Sequence, residues 1–439
     1  MATPTNEDAH GKVDLSIENL RSQYQQKVVN VVYSRISDYH DKAVWITLIP
    51  QDDALERANQ LSTQYPESAG RPALYGIPFS VKDSIDVALR SAAHPRPGGI
   101  LIGKTNFDQF ATGLNDTRSA YSIPRSVHDS SYISGGSSSG SVVSVAADLV
   151  SFTVAADTAG STRVPASLNG MVGLKPTLGT ISTVGLVPAC KTADCVTVIA
   201  KTIETTLADL NVMQAYDEDD VYAREVPPTP MPWNKSLPPL SYGLPRQDLV
   251  ESSLSPQYLD LFNRFLTALR STELQLSSNM DYDPFAAANA MLYGSSIVSQ
   301  RIVAFKDYLA LHGYNEMHPV VPQIFRDSAG FDAVKACEDI FSLAKHKRNA
   351  HKQFRGGPGG QDENERNDVL IVPSTTTHPT VEEMLGDPLA LNKRLGTFTH
   401  FVNLLNLCAV SVPIKATWAN RNEKQMPFGL TLIGMPGRD

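Results

Sequence analysis

The period of the apolar positions changes along the chain. Between residues 14 and 66 they recur at helical spacing. Leu15, Ile17, Leu20, Tyr24, Val28 and Val32 share a stripe, and ALERANQLSTQY repeats the pattern. This predicts a helical N-terminal layer, suited to internal packing or a dimer surface. From Tyr75 onward the pattern shifts to short apolar runs: GIPFSVKD, ILIGKTN, LVSFTVAAD, DVLIVPS, CAVSVP and GLTLIG. These alternate with helical stretches and glycine-rich turns, which predicts an α/β sheet with crossover helices. Residues 255–350 return to helical spacing. The proline-rich stretch 226–245 predicts a connection around the outside, and RGGPGGQDENERN at 355–367 predicts a surface loop.

Composition narrows the function classes. The chain has 439 residues, 42% hydrophobic and 19% charged, which is ordinary for a globular protein with a large core. A net charge of −8 argues against nucleic acid as a partner but leaves small-molecule substrates open, since an acidic protein can hold a local cationic pocket. The N-terminus MATPTNEDAHGKVD is polar, without the apolar core of a signal peptide, and no apolar run approaches a membrane span. A cytoplasmic protein with no membrane association is expected. The four cysteines form no CxxC pair, and Cys190 and Cys195 read as buried thiols. No metal and no cofactor are expected. His346 and His351 fall on different helix faces, no dinucleotide fingerprint occurs, and the glycines of 355–367 lack a P-loop lysine and serine.

The candidate chemistry lies in three segments: GIPFSVKDSIDV around Lys82, SGGSSSGS around Ser137, and ADTAGSTRVPAS around Ser161. A serine hydroxyl is a poor nucleophile until a neighbouring base takes its proton. Ser161 follows Ala159-Gly160, small residues that let the backbone turn tightly beside a substrate. The N–H groups of Thr158, Ala159, Gly160 and Ser161 are the candidate oxyanion hole. Ser137, after two glycines, is placed to pass the proton on to Lys82. A lysine base must be neutral, and the end of an apolar, strand-like run supplies the desolvation that lowers its pKa. No histidine is needed.

These residues resemble the amidase signature family, from about Tyr75 to the C-terminus. The resemblance implies an α/β/α sandwich around a large mixed β-sheet, with 1–439 as a single domain. Within it, 1–70 is the helical layer and 71–439 the catalytic core. It also implies Lys82 as base, Ser137 as bridging serine after a cis peptide bond, and Ser161 as acyl-enzyme nucleophile. Arg163 of STRVP is expected to brace the nucleophile loop.

Within the family, GKTNFDQFATGLNDTRSAYSIPRSV, VGLVPACKTADCVTVIA, DPLALNKRLGTFTHFVNLLNLCAVSVP and MPFGLTLIG are similar to the allophanate hydrolases. Ala159, where many family members carry glycine, agrees with that subfamily. The similarity extends to MLYGSSIVSQR and implies that Tyr293 and Arg301 hold the substrate while Gly113 lines the pocket. On one helix the two side chains would lie a little over two turns apart on a common face. A guanidinium donates two parallel hydrogen bonds to a carboxylate, which suits allophanate, a urea bearing a carboxylate. The resemblance further implies coupling to a biotin-dependent urea carboxylase and a possible homodimer. Two departures stand out. Between Asp86 and Gly103 the chain is shorter than expected, without the apolar helix before GKTN. The sequence also stops after GLTLIGMPGRD, so the C-terminal allophanate hydrolase domain and the urea carboxylase domain are absent from it.

Overall fold

The computed structural model describes residues 13–20, 25–87, 98–225, 240–277, 280–355 and 367–439. Its strands are β1 Trp45–Leu48, β2 Pro78–Lys82, β3 Ile100–Thr105, β4 Phe152–Asp157, β5 Val172–Lys175, β6 Cys195–Ala200, β7 Ser241–Gly243, β8 Gln275–Leu276, β9 Val369–Pro373, β10 Cys408–Pro413, β11 Trp418–Ala419, β12 Gln425–Met426 and β13 Gly429–Gly434. Eleven of them form one sheet in the order β1-β3-β2-β4-β6-β5-β10-β13-β9-β7-β8, and β11 pairs with β12 alone. The sheet is mixed. β3, β2 and β4 run parallel, as do β9, β7 and β8, while the strands between them alternate in direction. Helices pack over it in an α/β/α arrangement.

All six apolar runs contain strands. Their continuous apolar character follows from burial: every residue of β2, β4, β5 and β6 is buried. One half of the core gathers β2, β4 and β6 with the helices Gln25–Asp38, Gln51–Gln64 and Ser139–Ala146. The other gathers β9, β10 and β13 with Pro256–Leu269, Asp283–Gly294 and His400–Leu404.

The N-terminal layer departs from its prediction. The helices form, but WITL between them is β1, an edge strand pairing antiparallel with β3. Bulky and β-branched side chains at Trp45, Ile46 and Thr47 favour the pleated edge over helix. The helical prediction for 255–350 holds, interrupted by β8 and by a break after Gly294. Most of the proline-rich connection, nearly all of the glycine-rich loop and the core of the shortened stretch lie outside the described residues.

Cys190 and Cys195 are buried, as expected, as is Cys408, while Cys337 is exposed. No disulfide and no cluster of metal-ligating side chains occurs among the described residues. No helix among them is long and apolar enough to cross a membrane.

Candidate active site

Parallel strands β2 and β4 lie side by side, so their C-terminal ends open at the same edge of the sheet. Lys82 is the last residue of β2, and β4 ends at Asp157, where the loop to Ser161 begins. Ser137 precedes the helix Ser139–Ala146, which packs on β2 and β4. The topology thus brings three distant segments to one place. Lys82 Nζ donates to Ser137 Oγ at 2.7 Å, with both residues buried. The peptide bond Gly136–Ser137 is cis. Ser138 N–H donates to the carbonyl of Ser161 at 3.3 Å, tying the two serine loops together. No hydrogen bond joins the two serine hydroxyls in this conformation. Ser137 is engaged by the lysine, and Ser161 faces a pocket.

Burial lowers the Lys82 pKa to about 8, against the opposing pull of Asp116, Asp157, Asp108 and Asp194. Asp116 is itself driven toward its neutral form by burial and by Asp108, which weakens its support for the ammonium. The Phe107 ring lies 5.4 Å from Nζ. Once the amine is neutral, the Lys82–Ser137 bond can run from hydroxyl to nitrogen, as a base requires.

The Ser161 loop is held from beneath. Gly160 has φ +122°, and a Cβ there would fall 2.5 Å from Thr399 Oγ1, so only glycine fits. Asp157 accepts the N–H groups of Gly160 and Thr162 at 2.8 and 3.1 Å. It also forms a fully buried bidentate pair with Arg163. Burial alone would raise the Asp157 pKa, but the Arg163 guanidinium pulls it down to about 2. Arg163 reaches on to the Thr399 carbonyl and Asn403 Oδ1, bracing the loop as expected. Of the candidate oxyanion-hole donors, the Gly160 N–H donates to Asp157 Oδ1, whereas no acceptor among the described residues takes the N–H of Ala159 or Ser161. Thr158 is fixed through its hydroxyl, which donates to Asp194.

The pocket that Ser161 faces is lined by Ala111, Gly113, Thr158, Ala159, Tyr293 and Arg301, among others. Its free volume is about 20 Å³, room for little more than one water. Arg301 is 6% exposed, and its Nε and Nη1 have no hydrogen-bond partner among the described residues. Tyr293 stands beside it. Burial raises the Tyr293 pKa, while Arg301 and Arg118 pull it the other way, so the phenol keeps its proton. Tyr293 and Arg301 share the pocket but not a helix. The helix Asp283–Gly294 ends between them, Ser295 is extended (φ −139°), and Arg301 sits on a new helix, Gln300–Ala304. Cys190 also lines the pocket, but burial, reinforced by Asp194, pushes its thiol up to about 12, which rules it out as a ready nucleophile.

Several supporting groups escaped the sequence reading. Asp108 and Asp116 are fully buried around the Ser137 loop. Asp108 N–H donates to the Ser137 carbonyl at 3.1 Å, and Ser139 Oγ donates to Asp116. His400 stacks edge-on against Tyr293 with ring centroids 5.1 Å apart. The available signal was the placing of Asp108 and Asp116 amid apolar and small residues in the block GKTNFDQFATGLNDTRS.

Fold and site together define a serine-bearing amidohydrolase. The chain belongs to the amidase family, whose sequence model matches residues 95–439. It is 33% identical over 433 residues to the urea amidolyase of Lachancea kluyveri, covering 93% of this chain and 22% of that protein. It therefore spans about a fifth of that relative's length. The structure of Kluyveromyces lactis allophanate hydrolase superposes with a TM-score of 0.82 at 30% identity, over 96% of this chain and 70% of that one. A glutamyl-tRNA(Gln) amidotransferase chain from Natranaerobius thermophilus is 28% identical over 450 residues, covering 93% of this chain and 88% of that protein. The chain is thus an amidase domain similar to those of allophanate hydrolases and urea amidolyases.

Proposed function

We propose that the protein hydrolyses the terminal amide of allophanate through a Ser-Ser-Lys relay. The observation that carries this reading is Arg301, a buried guanidinium with two unpartnered donors in the pocket that Ser161 faces. A buried cation without partners is costly, and a carboxylate ligand would relieve the cost. With the carboxylate on Arg301 and Tyr293, and Gly113 beneath, the carboxamide carbon meets Ser161 Oγ. Ser161 gives its proton through Ser137 to Lys82, and the oxyanion takes the N–H groups of Ala159 and Ser161, with Thr158 adjoining. The C–N bond then breaks and ammonia leaves with that proton. Water releases N-carboxycarbamate, which decomposes to ammonia and carbon dioxide. Coupling to a biotin-dependent urea carboxylase, the source of a carboxylated urea, belongs to the same reading, as does a homodimer in the cytoplasm with 1–439 as one domain.

The test is ammonia release from fresh allophanate, with urea, malonamate and Ser161→Ala protein as controls. Release from allophanate that the substitution abolishes is expected. Release only from amides without a carboxylate would assign another small-amide hydrolase instead, and undiminished release by Ser161→Ala protein would overturn the nucleophile.

A further inference from the structure

A second chamber adjoins the reactive pocket. It has a free volume of about 310 Å³ and is walled by Phe107, Phe110, Tyr121, Val187 and Phe305. Ala111 lines both spaces and is the junction between them. The junction is built with care. Phe110 and Ala111 are consecutive non-glycine residues at φ +54° and +51°, a conformation that costs energy and persists only where the surroundings impose it. Those surroundings are visible. Phe110 packs edge-on against Phe305 at 4.7 Å, and Gln109 Oε1 accepts the His318 N–H at 2.7 Å.

The chamber lies on the proton-relay side. Asp83 and Ser84, which line it, follow Lys82 directly, and Phe107 separates it from the lysine amine. Asp83 is neutralised by Lys104 at 2.9 Å, so the walls carry no free charge. Ser84 is 4% exposed, its Oγ has no partner among the described residues, and its carbonyl holds Val187 in place at 2.8 Å. An apolar chamber with one buried, unsatisfied hydroxyl has the character of a ligand site.

We propose that this chamber is a leaving-group subsite, and that the enzyme accepts anionic amides whose leaving nitrogen carries an uncharged aryl or alkyl substituent. The inference rests on the reading of Arg301 and Ser161 above. With the carboxylate on Arg301 and the carbonyl at Ser161, the leaving nitrogen points toward Ser137 and Lys82, and its substituent passes Ala111 into the chamber. The reaction balances as for a primary amide. The Ser161 ester forms, the C–N bond breaks, the amine leaves with the relayed proton, and water frees the acid.

The experiment compares malonamate with the monoanilide of malonic acid, and includes acetanilide, which lacks the carboxylate. Binding is measured by calorimetry on Ser161→Ala protein with and without Val187→Trp. Val187 is half-exposed and lines the second chamber but not the reactive pocket, so tryptophan there obstructs the chamber. The monoanilide should bind at least tenfold more tightly than malonamate, and Val187→Trp should erase that advantage while leaving malonamate within twofold. Wild-type enzyme should release aniline. Equal affinity of the two acids, or equal loss of both in Val187→Trp, overturns the proposal even if allophanate is hydrolysed. If neither acid binds, the carboxylate reading fails. Acetanilide binding that Val187→Trp removes would then still support the chamber, and its absence would overturn it.

Discussion

The amine of Lys82 and the hydroxyl of Ser137 meet at 2.7 Å in a site closed to solvent. Burial lowers the pKa of that amine to about 8, and the proposed relay requires it neutral. The value of kcat/KM should therefore rise about tenfold per pH unit below 8 and level off above it, because protonation removes the base. A pH profile under subsaturating substrate checks this, and a flat profile from pH 6 to 9 contradicts it. Lys82→Ala should lower kcat by roughly two to four orders of magnitude.

Arg301 offers two donors to a ligand carboxylate. Arg301→Ala should raise KM for allophanate by about 10- to 100-fold, the worth of a lost charge-assisted hydrogen bond. Neutral amides should be hydrolysed as before. A substrate panel on the two proteins separates this from a general loss of folding.

Asp157 is the sole carboxylate paired with Arg163 among the described residues, with both side chains fully buried. Asp157→Asn should destabilise the protein by about 3–5 kcal/mol by stranding a buried cation. Denaturant midpoints measure it. The pair also sets an acid limit. The Asp157 pKa is lowered to about 2 when folded, so its contribution is complete above the unfolded value near 4 and fades as pH falls through 2.

Asp209 is the opposite case, a buried carboxyl with neither oxygen partnered among the described residues and its pKa raised well above the ordinary value by burial. A raised carboxyl pKa means that the folded state binds more protons than the unfolded one above about pH 4, so stability falls as pH rises through that point. Asp209→Asn should remove that loss and stabilise the protein at pH 7 by about 1–3 kcal/mol. Melting curves at pH 5 and pH 7 on both proteins test the sign.

Gly396 sits against His400, and a Cβ on it would fall 1.7 Å from Nε2. The His400 ring is kept neutral by burial and by Arg163, its pKa lowered to about 3, and it backs Tyr293. Gly396→Ala should push the ring into Tyr293 and raise KM more than it lowers kcat, with a stability loss of about 1–3 kcal/mol. Steady-state kinetics and a thermal melt read both effects.

The parts of this arrangement legible in the sequence are those with a local signature. Lys82, Ser137 and Ser161 each lie in a short run whose apolar strand, glycines or small residues announce a turn at a strand end, and the structure brings these runs together. Tyr293 and Arg301 were legible as a pair for an incomplete reason, since their shared pocket comes from the break at Ser295 rather than from one helical face. The edge strand β1 was hidden by the helices on either side of it. Thr399, Asn403 and His400 gave no local sign, because they act on residues far off in the chain. Nor did the sequence show that Asp157 turns back beneath the loop to accept the Gly160 N–H.

The contacts that brace the Ser161 loop have a consequence for the order of events during synthesis. Arg163 bonds to Thr399 and Asn403, 236 and 240 positions later, and Asn403 returns to the Asp157 carbonyl across 246. A ribosome delivers Ser161 long before it delivers these supports. Until residues 399–403 have been made, the Ser161 loop lacks these supports, and it takes its braced form only once that segment has docked.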